Sequence, residues 1–334
     1  MATIYDVAQL AAVSPATVSR VINERGNVDP EMARRVQEAV RALNYRPNVV
    51  ARNLRRQTAA VWTAIISDIN NPHFTSLTRG VEDVAQESGH SVMLCNADED
   101  LAKERRYVDV ALAERAAGVI ISPASYRNST VAPLLERGVP VVTIDRTLQA
   151  SPVNAVVVEN AAAAERATAH LLEAGYRRIA CITGPMRTTT STQRLAGYRR
   201  ALRAAGLPRD PELECVADMK EGGGYEATRA LLQHDRPPDA LFVGNGLMTI
   251  GALRCLNEAR VTVPDQIGVV GFDEHRWATL VRPALTTVAQ PTYELGRAAA
   301  KMLLEATGPD APPPRTVTLP TRLVIRDSSV RPAR

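Results

Sequence analysis

Apolar positions fall along this chain in three regimes. From Met1 to about Arg46 they are sparse and recur at helical spacing, predicting helices over Ile4 to Ala11, Pro15 to Asn23 and Pro30 to Leu43. The first offers Ile4, Val7, Ala8 and Leu10 to a shared core, and the second Val18, Val21 and Ile22. The third offers Met32, Val36, Val40 and Leu43. Pro47 to Thr58, "PNVVARNLRRQT", begins on a proline that suits a first helical turn and is too polar to own a core, so it reads as a linker. From Ala59 onward the pattern changes to unbroken runs rich in Val and Ile, separated by helical stretches. The runs are "AAVWTAIIS", "HSVMLCN", "GVIIS", "PVVTID" and "NAVVVEN", then "RRIACITG", "ELECVAD", "DALFVGN" and "QIGVVGFD". Strands of this kind are buried on both faces, as in parallel sheets covered by helices.

Two such βα series run over about Ala59 to Asn160 and Ala161 to Ala289. A tail follows, "RPALTTVAQPTYELGRAAAKMLLEATG" and then "TVTLPTRLVIRDS". The expected architecture is a small all-α helix-turn-helix domain plus an α/β body of two lobes, each a doubly wound parallel sheet, with a cleft between them. The expected divisions are residues 1–46 for the helical domain, 47–58 for the linker and 59–334 for the body. Within the body, one lobe takes about 59–160 plus 290–318 and the other about 161–289 plus 319–334. Ligands of open α/β sheets sit beyond the carboxyl ends of the strands, so residues just after these strands are the binding candidates.

Charge sharpens the picture of the amino-terminal segment. Its first 60 residues carry nine Arg and no Lys against five acidic residues, a surplus of four that equals the net charge of the whole 334-residue chain. A surplus confined to one small segment is a footprint for a polyanion. The four cysteines, Cys95, Cys181, Cys215 and Cys255, are far apart and lack metal-ligand spacing, so neither a disulfide framework nor a zinc site is expected. No apolar run approaches the roughly 18 residues of a membrane span, and no basic segment leads into an apolar one at the start. A cytoplasmic protein without a membrane anchor is expected.

Enzyme signatures are missing. "EGGGYEA" and "VGNGLMTIG" are glycine-rich without the GxGxxG spacing, and no P-loop, HExxH or GxSxG occurs. The histidines, among them His73, His90 and His170, lie singly and read as loop or core residues. No catalytic residues, metal or cofactor are expected.

The stretch "LAAVSPATVSRVIN" carries the chemistry of the amino-terminal segment. Ser14 can cap and Pro15 fits the first helical position, so the second helix starts abruptly and exposes its amino end. Such an end can hold a phosphate while its first residues face a major groove. Pro15 and Ala16 can touch thymine methyls, Thr17 and Ser19 can reach phosphates, and Arg20 can pair with guanine.

Together "TIYDVAQLAAVSPATVSRVIN", "NYRPNVVARNL", "NPHFTSLTRGVED", "GVPVVTIDR", "RRIACITGP", "RLAGYRRAL", "IGVVGFDE" and "RPALTTVAQP" resemble, in order, the lactose-repressor (LacI/GalR) family of bacterial transcription regulators. The resemblance implies a homodimeric repressor that binds a near-palindromic double-stranded DNA operator. It further implies a periplasmic-binding-protein-like sensor whose bound small molecule, a sugar or sugar derivative, sets operator affinity. The DNA-contacting set it implies is Thr3, Ser14, Pro15, Ala16, Thr17, Ser19, Arg20 and Asn23, joined by Asn48, Ala51, Arg52, Leu54 and Arg55 of the hinge, with Leu54 wedged into the minor groove. The effector set it implies is Phe74, Asp145, Arg146, Arg194, Met219, Asn245, Asp273 and Trp277. Carboxylates there accept pairs of hydroxyls, Arg194 is a bidentate donor, and an aromatic supports a sugar face. Three positions depart from the family pattern. Gly246 stands where many relatives have Asp, Met219 is the nearest residue to a usual aromatic with Trp277 as its substitute, and Ala12 replaces a turn glycine at about 1 kcal/mol. Arg146 and Arg194 are then possible partners for an anionic ligand. A sugar-binding transport receptor is the rival reading, and the DNA reader and basic hinge speak against it.

Overall fold

A computed structural model describes residues 2–22, 28–45, 61–149, 151–308 and 310–331. The chain divides into two compact units, Met1–Ala59 and Ala60–Arg334.

Three helices make the described part of the first unit: α1 (Ile4–Ala11), α2 (Pro15–Ile22) and α3 (Pro30–Ala42). A capping box fixes the start of α1, with Asp6 N–H donating to Thr3 Oγ1 and Thr3 N–H donating to Asp6 at 2.7 Å. Ala12 ends α1 in the left-handed region at φ 51°, which turns the chain into α2. Asp29 caps α3 through the N–H groups of Glu31 and Met32, and Pro30 fills its first position. Val7, Ala8, Ala11, Val18, Val36 and Ala39 form the core, with Ile4, Val13, Val21, Ile22, Val40 and Leu43 packed around it. Two expected core residues face outward instead: Leu10 is 56% exposed and Met32 41%. Small Ala11, not Leu10, completes the stripe with Val7 and Ala8, because helices that cross closely need small side chains at the contact.

The second unit contains two six-stranded sheets. The first runs in the order β11 (Thr316–Leu319), β5 (Asn154–Val158), β4 (Val141–Ile144), β3 (Gly118–Ile121), β1 (Val61–Ile66), β2 (Ser91–Asn96), all parallel. The second runs β12 (Arg322–Val324), β10 (Thr286–Ala289), β9 (Gly268–Phe272), β8 (Ala240–Val243), β6 (Ile179–Thr183), β7 (Glu214–Val216), with β12 alone antiparallel to its neighbour. The chain passes between sheets after β5, after β10 and after β11, so the lobes are linked at three places.

Both faces of each sheet are covered, which explains why the strands read as unbroken apolar runs. In the first lobe Trp62, Ile66, Ile120, Val142 and Ile144 pack on α4 (Pro72–Glu87) and α11 (Thr292–Ala306). The alternate residues Ile65, Val119, Ile121 and Val141 pack on α5 (Leu101–Ala113) and α6 (Ala132–Glu136). The second lobe repeats the scheme. Ile179, Cys181, Phe242 and Phe272 face α7 (Asn160–Glu173) and α8 (Thr189–Ala204), whereas Ile182, Leu241, Val243 and Val269 face the side of α9 (Glu221–Leu232) and α10 (Gly246–Glu258). Among the described residues no helix is long and apolar enough to cross a membrane, and no cluster of His, Cys, Asp and Glu could hold a metal ion.

Candidate functional site

In the first unit, α2 presents the expected face. Ser14 Oγ accepts from Thr17 N–H at 3.1 Å and lies 2.9 Å from the Thr17 hydroxyl, fixing the start of the helix. Pro15, Ala16 and Arg20 are exposed, Thr17 and Ser19 half-buried, and Val18 alone is fully buried, anchoring α2 on its inner side. Thr3 is exposed but engaged in the α1 capping box. Tyr5, 69% exposed on α1, is a further candidate contact on this unit; its only sequence signal was an aromatic off the apolar stripe. Asn23, Asn48, Ala51, Arg52, Leu54 and Arg55 lie outside the described residues.

In the second unit, a narrow cleft opens between the lobes at the carboxyl ends of the strands. Its lining comes from the segments after β1 (Asp68, Asn71, His73, Phe74), β2 (Glu99), β4 (Asp145, Arg146), β6 (Thr190, Arg194), β7 (Met219), β8 (Asn245), β9 (Asp273) and β10 (Gln290). Seven of the eight expected effector residues therefore converge here. Trp277 does not: half-buried, it packs against the second lobe's core and stacks on His275, with ring centroids 5.9 Å apart. Glu99, Asp145, Met219 and Asp273 all have positive φ, of 59°, 66°, 68° and 78°. Non-glycine residues rarely adopt this conformation, and such backbone collects at ligand sites.

Arg194 is buried and fixed by its own lobe. Its Nε donates to Asn160 Oδ1 at 2.8 Å, an Nη donates to the Gly244 carbonyl at 2.6 Å, and the guanidinium lies 3.6 Å from the centroid of the Phe272 ring. Asn245 is committed twice, capping α10 through Met248 N–H and donating to the Met219 carbonyl, each at 2.8 Å. Asp273 accepts from Gly246 N–H at 3.0 Å and from Gln290 Nε2. Gly246 is not a vacancy: a Cβ there would stand 2.0 Å from His275 Nε2, so the imidazole fills that space.

The first lobe is wired differently. Arg146 donates both Nη atoms to Glu99, at 2.6 and 2.8 Å, and one of them also to the Pro123 carbonyl, while its Nε lies 3.5 Å from Asp145 without a hydrogen bond. His73 is 4% exposed; its Nε2 lies 3.4 Å from Asp145 and its Nδ1 3.9 Å from Asp273 of the other lobe. Neither ring nitrogen has a hydrogen-bond partner. His73 is the buried residue expected, but it is not isolated: the carboxylates that surround it are 72 and 200 positions away in sequence. Burial drives the imidazole toward neutrality, but Asp145 and Asp273 outweigh it and raise its pKa. Burial likewise opposes ionisation of Asp145, yet His73, Arg146 and Arg194 hold that carboxyl at about 2. Asp273 is also lowered, against its burial, by His73 and Arg194. Both carboxylates are ionised acceptors at neutral pH.

The lobes also touch around the cleft. Tyr126 N–H donates to the Arg187 carbonyl at 2.8 Å, Arg187 donates to the carbonyls of Ala124 and Glu99, Thr147 N–H donates to Thr189 Oγ1, and Lys220 bridges to Asp98.

Two family descriptions match this chain: "Bacterial regulatory proteins, lacI family" over residues 3–48 and "Periplasmic binding protein-like domain" over residues 168–329. The catabolite control protein A of Priestia megaterium is 34% identical over 328 residues, covering 98% of this chain and 99% of the relative. The protein belongs to the LacI family. The ribose operon repressor of Halalkalibacterium halodurans, 35% identical, covers 98% of this chain and is itself covered to 97%. The lac repressor dimer bound to operator and an anti-inducer superposes with a TM-score of 0.87 at 27% identity, over 98% of this chain and 99% of that one. As a LacI-family member the protein is a DNA-binding transcriptional regulator controlled by a small-molecule effector, and its relatives are regulators, not enzymes.

Proposed function

We propose that the protein is a homodimeric, operator-binding repressor whose effector places a polyhydroxylated, uncharged ring in the cleft between the two lobes. The observation that carries this reading is the pair of buried carboxylates, Asp145 and Asp273, flanking one space from opposite lobes with His73 between them. Ionised carboxylates in such a setting accept pairs of hydroxyls, and Arg194 adds a fixed donor edge. An anion within the cleft itself is disfavoured, since the ionised Asp145 and Asp273 face the same space. The ribose operon repressor at 35% identity favours a monosaccharide. The working division is 1–46 for DNA reading, 47–58 for a hinge and the remainder for sensing and dimerisation. Action on DNA places the protein in the bacterial cytoplasm. In each half-site α2 faces the bases, with Arg20, in its last turn, as the reader.

A thermal-shift screen of monosaccharides, run with and without an inverted-repeat operator duplex, tests this. One sugar should stabilise the protein, and by different amounts in the two conditions, which identifies the effector and gives the sign of its action. Equal stabilisation with and without operator would separate sugar binding from regulation. Arg20→Ala should relax base preference at one position per half-site; a uniform loss across all sequences would make Arg20 a phosphate contact.

A further inference from the structure

His73 faces carboxylates of both lobes from one position. It stands in the first turn of α4, where its N–H donates to the Asn71 side chain at 3.0 Å and its ring meets Phe74 edge to face, with centroids 5.0 Å apart. From there Nε2 lies 3.4 Å from Asp145 of its own lobe and Nδ1 3.9 Å from Asp273 of the other. These contacts are ionic: neither ring nitrogen makes a hydrogen bond to any described residue.

The charges around the ring call for one more cation. Arg146 and Glu99 neutralise each other, and Asp68, which accepts the Asn70 N–H at 2.9 Å, is within reach of the Lys220 charge. Among the described residues of the cleft, Asp145 and Asp273 are then left against the guanidinium of Arg194, and all three are buried. Burial pushes His275, the other imidazole beside Asp273, toward its neutral form. A buried carboxylate without a counter-charge is costly, and a protonated His73 supplies the missing charge. In keeping with this, the two carboxylates raise the His73 pKa against its burial and against Arg194. A hydroxyl donates to a carboxylate at about 2.7 Å, closer than the imidazole approaches either one, so it can displace contacts of this length.

We infer that His73 is a proton-bearing clasp between the lobes, an imidazolium whose two carboxylate contacts the effector's hydroxyls take over, so that effector binding releases a proton from the ring to the buffer. The N–H bond breaks with its electron pair left on the ring nitrogen, and the hydroxyls keep their own protons as hydrogen-bond donors. This rests on the polyol reading above and adds to it the residue that the ligand must displace. Because a proton leaves on binding, affinity rises with pH while His73 is protonated and levels off above its folded pKa.

Two measurements on the full-length protein test the clasp. In the first, nuclear magnetic resonance of ring-labelled histidines follows His73, its signal identified by its loss in His73→Gln. It should titrate above the ordinary value of 6.5, and Asp273→Asn, on the opposite lobe, should lower its midpoint by at least about half a pH unit. A midpoint that Asp273→Asn leaves in place overturns the clasp. In the second, ribose, glucose and fructose are titrated calorimetrically near neutral pH in PIPES and in Tris, whose ionisation enthalpies differ. The sugar that binds should release at least about half a proton per site, and its Kd should fall at least about threefold from about pH 6 to about pH 8. His73→Gln should bind the same sugar with both effects gone. Equal heats in the two buffers, or proton release that persists in His73→Gln, overturn the clasp while the polyol reading stands. If none of the three sugars binds, the polyol reading and the proton exchange fall together, and the ring titration still decides whether the imidazolium joins the lobes.

Discussion

Each lobe has six strands with helices on both faces, yet the two supply unlike halves of the cleft. In the second lobe Arg194, Asn245 and Asp273 are tied to that lobe or to the Gln290 crossover: Arg194 to Asn160 and Gly244, Asn245 to Met219 and Met248, Asp273 to Gly246 and Gln290. In the first lobe the charged groups answer one another, Arg146 with Glu99 and Asp145 with His73, and His73 reaches toward the opposite wall. The second lobe is a preformed wall, and the first holds charges whose partners a ligand can exchange. Repeating an architecture therefore does not repeat its chemistry, because the sheet fixes only where the loops are.

The comparison can be broken at the rigid side first. Arg194→Ala removes two buried hydrogen bonds and the stack on Phe272, so unfolding in urea should show a loss of about 3 kcal/mol, with effector binding abolished. A change below about 1 kcal/mol would mean that this wall is not preformed. Asp145→Asn tests the other side. The carboxyl falls from 3.8 to about 2 on folding, so its ionised form contributes about 2 kcal/mol. Because the folded pKa is depressed, that contribution is present above pH 4 and disappears as pH falls toward 2. The gap between wild type and variant should close over that range.

Gly246→Ala should cost about 1 to 2 kcal/mol by driving a methyl group into the His275 ring, and His275→Ala in the same chain should recover most of it. A cost that His275→Ala leaves untouched would place the strain elsewhere. The smallest effect is expected for His73→Gln. The raised pKa of His73 means that its charge stabilises the fold fully below about pH 6.5, the ordinary histidine value, and is lost as pH rises through the folded pKa. Wild type should therefore lead the variant in acid and lose that lead in alkali, and Asp145→Asn should cost less in the His73→Gln background.

Much of the fold was legible in the sequence. Strands buried on both faces announce themselves as unbroken runs, and Ser14 followed by Pro15 marks the start of α2 at the residue where it begins. The site was legible where a charged residue closes such a run, as Asp145, Asp273 and Arg146 do. His73, Glu99, Asn160 and Gln290 were missed because each gains its partner from a different segment, and no local spacing records that meeting. Trp277 was drawn to the site by closeness to Asp273 in sequence, but the turn after β9 lays it against the core. Leu10 and Met32 were assigned inward as apolar members of a helical spacing, although alanines occupy part of the buried stripe in their unit.

The most direct test of the account is operator binding followed by fluorescence anisotropy on an inverted-repeat duplex, titrated with the sugar that stabilises the protein. Wild type should change its operator Kd at least tenfold on saturation, and Asp273→Ala should bind the operator as tightly as unliganded wild type while showing no response. A normal response in Asp273→Ala would contradict the assignment of the interlobe cleft as the site that controls DNA binding.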